Sequence, residues 1–465
     1  PTPPLPANTF VAAVNSSAKI KKARLLARLH ASDFVVLDTR SDPEYLGWQL
    51  YGEVRGGHIP GSVQISYPRF FNADKTVLRY GALRTMFESR GITKDKEVAA
   101  HCTVGIRSGF GYFLLRLMGY PLAKNYDGSI AEWSADSACP MQKAPRFSEI
   151  VHPSWVKALI DYSSGASLTP PPEYPYDASH KYLIFETQWG TLADATAYTS
   201  GHIPGAIHSN SDTYENGYPR WFLLPDSELH AALGTMGITA DTTVVVYSDS
   251  PIFAARLWWI LKYAGVTDVR FLNGGYAQWI AEGYAGETAT NLPTPTTFTG
   301  TVHPEYLATT SQVAKYVRKG SLMFLTDVRS RKEYVGKISG YDYLEAKGRI
   351  PGAIWAHDGS GDEYIDADDG TLRSYTEIKS LWRSFGITSS QASRFDRKVI
   401  FYCGSGYRSA LAFLYAHLMG YDNILNYSNG WEDWSTIYTE DASCTGITPG
   451  WCQEPSNRPI EVGAP

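Results

Sequence analysis

Cysteine is scarce in this 465-residue chain. There are five, Cys102, Cys139, Cys403, Cys444 and Cys452, an odd number that excludes a fully paired disulfide framework. Basic residues are in no excess: 42 Lys and Arg stand against 47 Asp and Glu, for a net charge of −5. No cationic stripe is available to a nucleic-acid groove, so nucleic acid is not expected as a partner. Apolar runs are short as well, and candidates such as Val244 to Tyr247 fall far below the roughly 18 residues that cross a bilayer. No membrane is expected as a partner either. The chain also opens "PTPPLPANTF" without an initiator methionine. An upstream segment is expected to have been removed, by a signal peptidase or in preparing the protein, and the first case implies a periplasmic or secreted location.

The two cysteines nearest each other are Cys444 and Cys452, eight positions apart in "CTGITPGWC". In an oxidising compartment they would close a small disulfide loop, and otherwise they stand as two unpaired thiols. No Cys-x-x-Cys or histidine pair accompanies them, so no metal site is expected.

What the sequence does contain is one unit written three times. "AAHCTVGIRSGFGYFLLRLMGY" around Cys102 returns as "FYCGSGYRSALAFLYAHLMGY" around Cys403, and in altered form as "VVVYSDSPIFAARLWWILKYAGV", with Ser248 at the cysteine position. Gly119, Gly265 and Gly420 each lie 17 residues beyond that position, and Trp133, Trp279 and Trp434 each lie 31 beyond. Upstream, "VVLDTRSDPEY", "LIFETQWG" and "FLTDVRSRKEY" correspond, each followed by "GHIPGS", "GHIPGA" or "GRIPGA". Short β-branched runs such as Val35–Leu37, Val244–Val246 and Val399–Tyr402 alternate with longer helical patterns such as Ala410–Leu418. That alternation predicts an α/β fold in which each unit is a mainly parallel sheet with helices on both faces. Pro/Gly/Thr-rich linkers at Ser163–His180 and Gly286–Gly300 place the units near 8–150, 155–290 and 300–465.

The order strand, Cys-x-x-Gly-x-Arg, helix sets a thiol just past the carboxyl end of a parallel strand, where open α/β sheets bind ligands. Gly404 and Gly406 allow consecutive amides to turn inward as an anion cradle at a helix N-terminus. Such a cradle lowers a thiol pKa from about 8.5, favouring the thiolate, and Arg408 adds a permanent charge. Cys403 thus has the surroundings of a nucleophile for an anionic substrate, with Gly404, Ser405, Gly406, Tyr407 and Arg408 as the substrate-binding loop. Cys102 with Arg107 repeats the pattern, but Thr103, Val104 and Ile106 are expected to crowd its cradle, which makes it the secondary site.

These motifs together, "DTR…GHIPGS…HCTVGIRSG…YDGSIAEW" and "TDVR…GRIPGA…YCGSGYRSA…YSNGWEDW", resemble the rhodanese (sulfurtransferase) family over essentially the whole length. The three-module form is similar to bacterial exported triple-rhodanese proteins. The resemblance implies a cysteine that takes a sulfane sulfur, becomes a persulfide held by the loop amides, and passes the sulfur to a thiol or cyanide. Both loops are Cys-x4-Arg, the length this family associates with sulfur, whereas related phosphatases use Cys-x5-Arg. "CGSG" resembles mercaptopyruvate-using members, while the arginine resembles thiosulfate-using ones; a dianion gains more from Arg408 than a monoanion would. Thiosulfate or a related sulfane donor is therefore favoured over 3-mercaptopyruvate, with no metal or organic cofactor. The other function class is a persulfide carrier whose partner is a sulfur-accepting protein. A deep pocket would suit the small donor and thiol acceptor, a shallow rim the protein, and the insertion "VGKISGYDYLEAKG" (Val335–Gly348), found only in the third unit, is placed to wall such a pocket.

The middle unit has exchanged every reactive element: Ser248 for cysteine, Phe253 for the loop arginine, Glu186 and Gln188 for the Asp/Arg pair. A serine without a neighbouring base is no nucleophile, so this unit is expected to be architectural, with Trp189, Trp221, Trp258 and Trp259 as interdomain core. Asp38 with Arg40, and Asp327 with Arg329, are expected to support the loops. Arg408 has an alternative role, bracing its loop against Asp327 or Glu333. His58 and His202 of "GHIPG" are assigned to the turn, since Arg349 takes the same place beside Cys403.

Overall fold

The β-branched runs become strands buried on both sides, as parallel sheets require. A computed structural model describes residues 13, 15–319, 323–357, 364, 370–388 and 398–464. In the first of two units, Pro1–Lys143, strands β1 (Phe34–Asp38), β2 (Val63–Gln64), β3 (Glu97–His101) and β4 (Ala123–Asn125) form a parallel sheet in the order β2-β1-β3-β4. The pleat sends alternate residues of β1 to opposite faces. Phe34 and Val36 join Leu25 and Trp133 in one core, while Leu37 joins Phe87 and Leu114 in the other. Helices therefore cover both faces.

The second unit, Ala144–Pro465, holds two sheets. Strands β5 (Ile150–Val151), β6 (Tyr182–Gln188), β7 (Ala206–Asn210), β8 (Thr243–Tyr247) and β9 (Asp268–Leu272) are parallel in the order β5-β9-β8-β6-β7. Strands β10 (Met323–Asp327), β11 (Ile354–Trp355), β12 (Lys398–Tyr402) and β13 (Ile424–Asn426) follow the order β11-β10-β12-β13, also parallel. A hairpin of β14 (Thr436–Glu440) and β15 (Trp451–Pro455) closes the chain, stapled by a Cys444–Cys452 disulfide. Of the two states open to these cysteines, the paired one is formed.

Two helices join the sheets of this unit. Pro251–Ala264 follows β8 and Tyr407–Leu418 follows β12; each is apolar nearly all round, the pattern of a helix enclosed by protein. They enclose one another. Trp258 lies against Phe413 and His417, with ring centroids 6.4 and 5.1 Å apart, inside one core that takes residues from both modules. The module without a nucleophile thus shares its interior with the one that carries Cys403. Trp258 and Trp259 are fully buried there, as expected; Trp221 is buried too, outside that cluster and against the Tyr343 ring of the third module at 4.7 Å, whereas Trp189 is 53% exposed. Among the described residues no helix is long and apolar enough to cross a membrane.

The "G-H/R-I-P-G" turn is tied down the same way three times. His58 and His202 place Nδ1 2.7 and 2.8 Å from the carbonyls of Tyr45 and Tyr198 and stack on those rings, and Arg349 donates to the Tyr334 carbonyl over that ring. The structural assignment of these side chains stands on these contacts.

Candidate active site

Cys403 follows the last residue of β12, and its loop turns on Gly406, whose φ of +91° is left-handed and favours glycine. A Cβ there would strike the Ser428 carbonyl oxygen and Arg256. The turn aims the Gly406 N–H at Cys403 Sγ, 3.2 Å away, at the start of the helix Tyr407–Leu418. Ser409 Oγ is 3.6 Å from the sulfur and 2.7 Å from Asn426 Oδ1, so its single proton goes to the amide oxygen. Cys102 has the same arrangement: Gly105 at φ +86° donates to Sγ at 3.1 Å. Burial pushes the Cys102 thiol pKa up, but hydrogen bonds from Ser108 and the Val104 amide, with the Arg107 charge, outweigh it and bring the pKa below the ordinary value.

The expected crowding of the Cys102 cradle does not occur. Val104 and Ile106 are 56% and 78% exposed, because the left-handed glycine turns them outward. Thr103 is buried and donates to Glu44 at 2.8 Å.

Both loop arginines meet a carboxylate. Arg408 forms a bidentate pair with Glu333, Nη2–Oε1 2.8 Å and Nη1–Oε2 3.0 Å, and Nη2 also donates to the Tyr341 hydroxyl. Arg107 forms the same fork with Glu44, both contacts at 2.8 Å. Burial raises the pKa of each glutamate, yet its arginine more than offsets this and holds it below the usual range. Arg408 thus makes the Glu333 contact of the brace and also lines the cavity above Cys403, so both of its roles stay open. Glu44 was not foreseen, although a signal existed: "S-x-x-E-Y" stands at Ser41–Tyr45 and Ser330–Tyr334, while the middle module, which lacks the loop arginine, has Ala197 before Tyr198. In both cases the serine and glutamate also form a helix capping box.

The Asp/Arg pairs expected to support the loops form, and each reaches the turn after its strand. Arg40 forks onto Asp38 and donates to the Gly57 carbonyl at 2.8 Å; Arg329 forks onto Asp327 and donates to the Gly348 carbonyl at 2.7 Å. Each pair is fully buried and links a strand end to the following turn. Burial acts to raise the Asp38 pKa, but Arg40 and His101 bring it down to about 2. Tyr402 adds a 2.7 Å hydrogen bond to Asp327. None of these four side chains lines the cavity above Cys403.

That cavity, about 300 Å³, is bounded by Cys403, Ser405, Tyr407 and Arg408 on one side. Tyr341 and Tyr343 of the Val335–Gly348 insertion form a wall, as expected, and the Tyr343 hydroxyl lies 3.4 Å from Ser405 Oγ. A Cβ on Gly404 would overlap the Tyr341 ring, so the insertion reaches the loop backbone itself. The opposite wall comes from the middle module: Trp189, Trp221, Ile252 and Phe253. This corrects the expectation of a purely architectural module, since Phe253, in place of a loop arginine, faces its neighbour's cysteine pocket. Ser248 Oγ accepts the Ser250 amide at 3.2 Å, a local contact. An adjoining chamber of about 550 Å³ shares Trp189, Trp221 and Tyr343 and adds Asp194, Asp212 and Asp342. Among the described residues, one cluster, Asp441 with Cys444 and Cys452, offers three potential metal ligands, and its two sulfurs are joined to each other.

Comparison with known proteins gives three findings. The rhodanese-like domain model matches residues 21–136, 181–282 and 309–437. The thiosulfate sulfurtransferase YnjE of Escherichia coli is 30% identical over 427 residues, 90% of this chain and 91% of its own; the sulfur carrier protein TtuD of Thermus thermophilus is 32% identical over 262 residues, 52% of this chain and 86% of its own. Among solved structures, the anaerobic ergothioneine biosynthesis enzyme from Chlorobium limicola, in complex with trimethyl histidine, superposes with a TM-score of 0.79 at 29% identity, covering 96% of this chain and 99% of that one.

Proposed function

The chain belongs to the rhodanese-like domain family and is a sulfurtransferase, and from that premise we propose that Cys403 takes the outer sulfur of thiosulfate, or of a related sulfane donor, and delivers it to a small thiol or cyanide acceptor. One observation carries this reading: the Cys403 sulfur, with an amide donor at 3.2 Å, forms the floor of a cavity of small-molecule size. The thiolate attacks the outer sulfur, the S–S bond of thiosulfate breaks, and sulfite leaves with the bonding pair. The new terminal sulfur carries the negative charge, and N–H groups at the helix start are the donors suited to hold it. An acceptor then attacks that sulfur and Cys403 leaves as thiolate, so the cycle is ping-pong.

A cavity walled by two modules favours a small acceptor over protein docking at this cysteine. Cys102, with its lowered pKa and amide donor, is the secondary site in this reading. The Cys444–Cys452 disulfide supports a periplasmic or secreted location.

A second reading concerns the acceptor. Aromatic faces of Trp189, Trp221, Tyr341 and Tyr343, beside the three aspartates of the adjoining chamber, suit a cationic molecule, and the Chlorobium enzyme is solved with trimethyl histidine. Steady-state assays with thiosulfate and with 3-mercaptopyruvate, each against cyanide, a thiol and trimethyl histidine, test both readings. Thiosulfate turnover lost in Cys403→Ser supports the first, and inhibition or sulfuration of trimethyl histidine supports the second. Wild-type turnover in Cys403→Ser removes the proposal.

A further inference from the structure

The core shared by the two modules of the second unit contains a polar network directly behind the Cys403 loop. Arg256, in the middle of the largely apolar helix Pro251–Ala264, is completely buried. Its Nε donates to Glu215 Oε1 at 2.8 Å, and its Nη1 donates to Ser428 Oγ at 2.8 Å, across the module boundary. Glu215, also buried, accepts the Tyr407 hydroxyl at 2.6 Å through its other oxygen. The guanidinium lies over the Tyr407 ring, 5.2 Å from its centroid. It also abuts Gly406, the residue whose amide points at Cys403 Sγ, since a Cβ on Gly406 would strike Arg256 and the Ser428 carbonyl oxygen. Among the described residues, Nη2 of Arg256 has no hydrogen-bond partner, so its charge is not wholly engaged.

Register makes this placement specific. The middle module has Phe253 where the others have a loop arginine, and carries an arginine three residues later, at a position filled by Phe110 in the first module and Leu411 in the third. A buried ion pair is poorly explained as glue, because well-packed apolar side chains would hold an interface at least as well. We propose that the Glu215–Arg256 pair is a positioning device for sulfur transfer at Cys403, with Arg256 bracing Gly406 and Ser428 while Glu215 anchors Tyr407. The module without a nucleophile thereby completes its neighbour's active loop. This rests on Cys403 being the sulfur-carrying residue. Burial, acting against Arg256 and Tyr407, pushes the Glu215 pKa up to about 7.

The test uses the full chain and three variants: Tyr407→Phe, Arg256→Lys, and the charge-neutral double variant Arg256→Met with Glu215→Gln. Single-turnover persulfide formation at Cys403, read by peptide mass spectrometry, is followed alongside steady-state thiosulfate kinetics and melting temperature. The double variant is expected to lose about tenfold or more in kcat while KM for thiosulfate stays within about twofold, and Arg256→Lys to recover part of that loss. A folded double variant with wild-type persulfide formation, beside an inactive Cys403→Ser, would overturn the positioning role and leave the site assignment intact. Activity surviving in Cys403→Ser would overturn the assignment on which it rests. If the double variant does not fold, Tyr407→Phe decides, since it deletes one hydrogen bond: a threefold to tenfold slower transfer, roughly, supports the device, and an unchanged rate overturns it.

Discussion

Replacing Arg408 by alanine distinguishes a guanidinium that binds substrate from one that braces the loop. In the structure its fork is engaged by Glu333, which is nearly inaccessible to water and also accepts the Ser330 amide at 2.9 Å. Removing the arginine strands a buried carboxylate, and breaking such a pair costs about 3–5 kcal/mol. The Ser330 cap remains, so we expect the low end, about 3 kcal/mol, and a fall in melting temperature of roughly 5–10 °C for a unit of this size. Because the loop loosens as a whole, thiosulfate and an uncharged persulfide donor should lose rate in similar proportion. Adding Glu333→Gln should restore much of the stability, since no charge is then stranded. The assay pairs a thermal melt with steady-state kinetics on both donors. A substrate contact worth about 1.5–3 kcal/mol predicts instead a ten- to hundredfold rise in KM for thiosulfate alone. That pattern, with an unchanged melting temperature, would refute the brace.

Three further outcomes follow from the same geometry. Asp38, held at about 2 against an ordinary 3.8, contributes about 2 kcal/mol of stability above pH 4 that fades as pH falls through 2; Asp38→Asn should remove this contribution at neutral pH and flatten the acid limb of an unfolding curve, and an unaltered limb would show that the pair is not responsible. Reducing Cys444–Cys452, or replacing both by serine, should destabilise the second unit by about 2–3 kcal/mol, as expected for a short closed loop, with no change in the unfolding of residues 1–143. Phe253→Ala together with Trp221→Ala should weaken acceptor binding about tenfold or more by stripping one wall of the cavity; persulfide formation from a small donor should change much less, and equal losses in both steps would argue against an acceptor wall.

Much of this was legible because it is local. The β-branched runs, the glycine at each loop and the constant 17- and 31-residue spacings fix strand, loop and helix within each module, and the Asp/Arg pairs lie two residues apart on one strand end. The insertion could be placed over the pocket because it immediately precedes a turn already located. Contacts between modules were not legible. Trp189, Trp221, Trp258 and Trp259 look alike in the sequence, yet two are core and two line the active cavity, a distinction made only when two apolar helices pack together. Arg256 gave no hint of its target, since its partners Glu215, Tyr407 and Ser428 are scattered over more than half the second unit. The crowding expected at Val104 and Ile106 failed for a conformational reason, the outward turn set by Gly105.

The central claim is that Cys403 carries the transferred sulfur. Intact-mass and peptide mass spectrometry after brief treatment with thiosulfate measures this directly, in the wild-type chain, Cys403→Ser and Cys102→Ser. The account predicts the mass of one added sulfur on the Cys403 peptide, gained rapidly in the wild type and in Cys102→Ser, lost on adding cyanide, and absent from Cys403→Ser except for a slower gain at Cys102. A wild-type chain that gains sulfur at Cys102 alone, or turns over thiosulfate with Cys403 never modified, would contradict it.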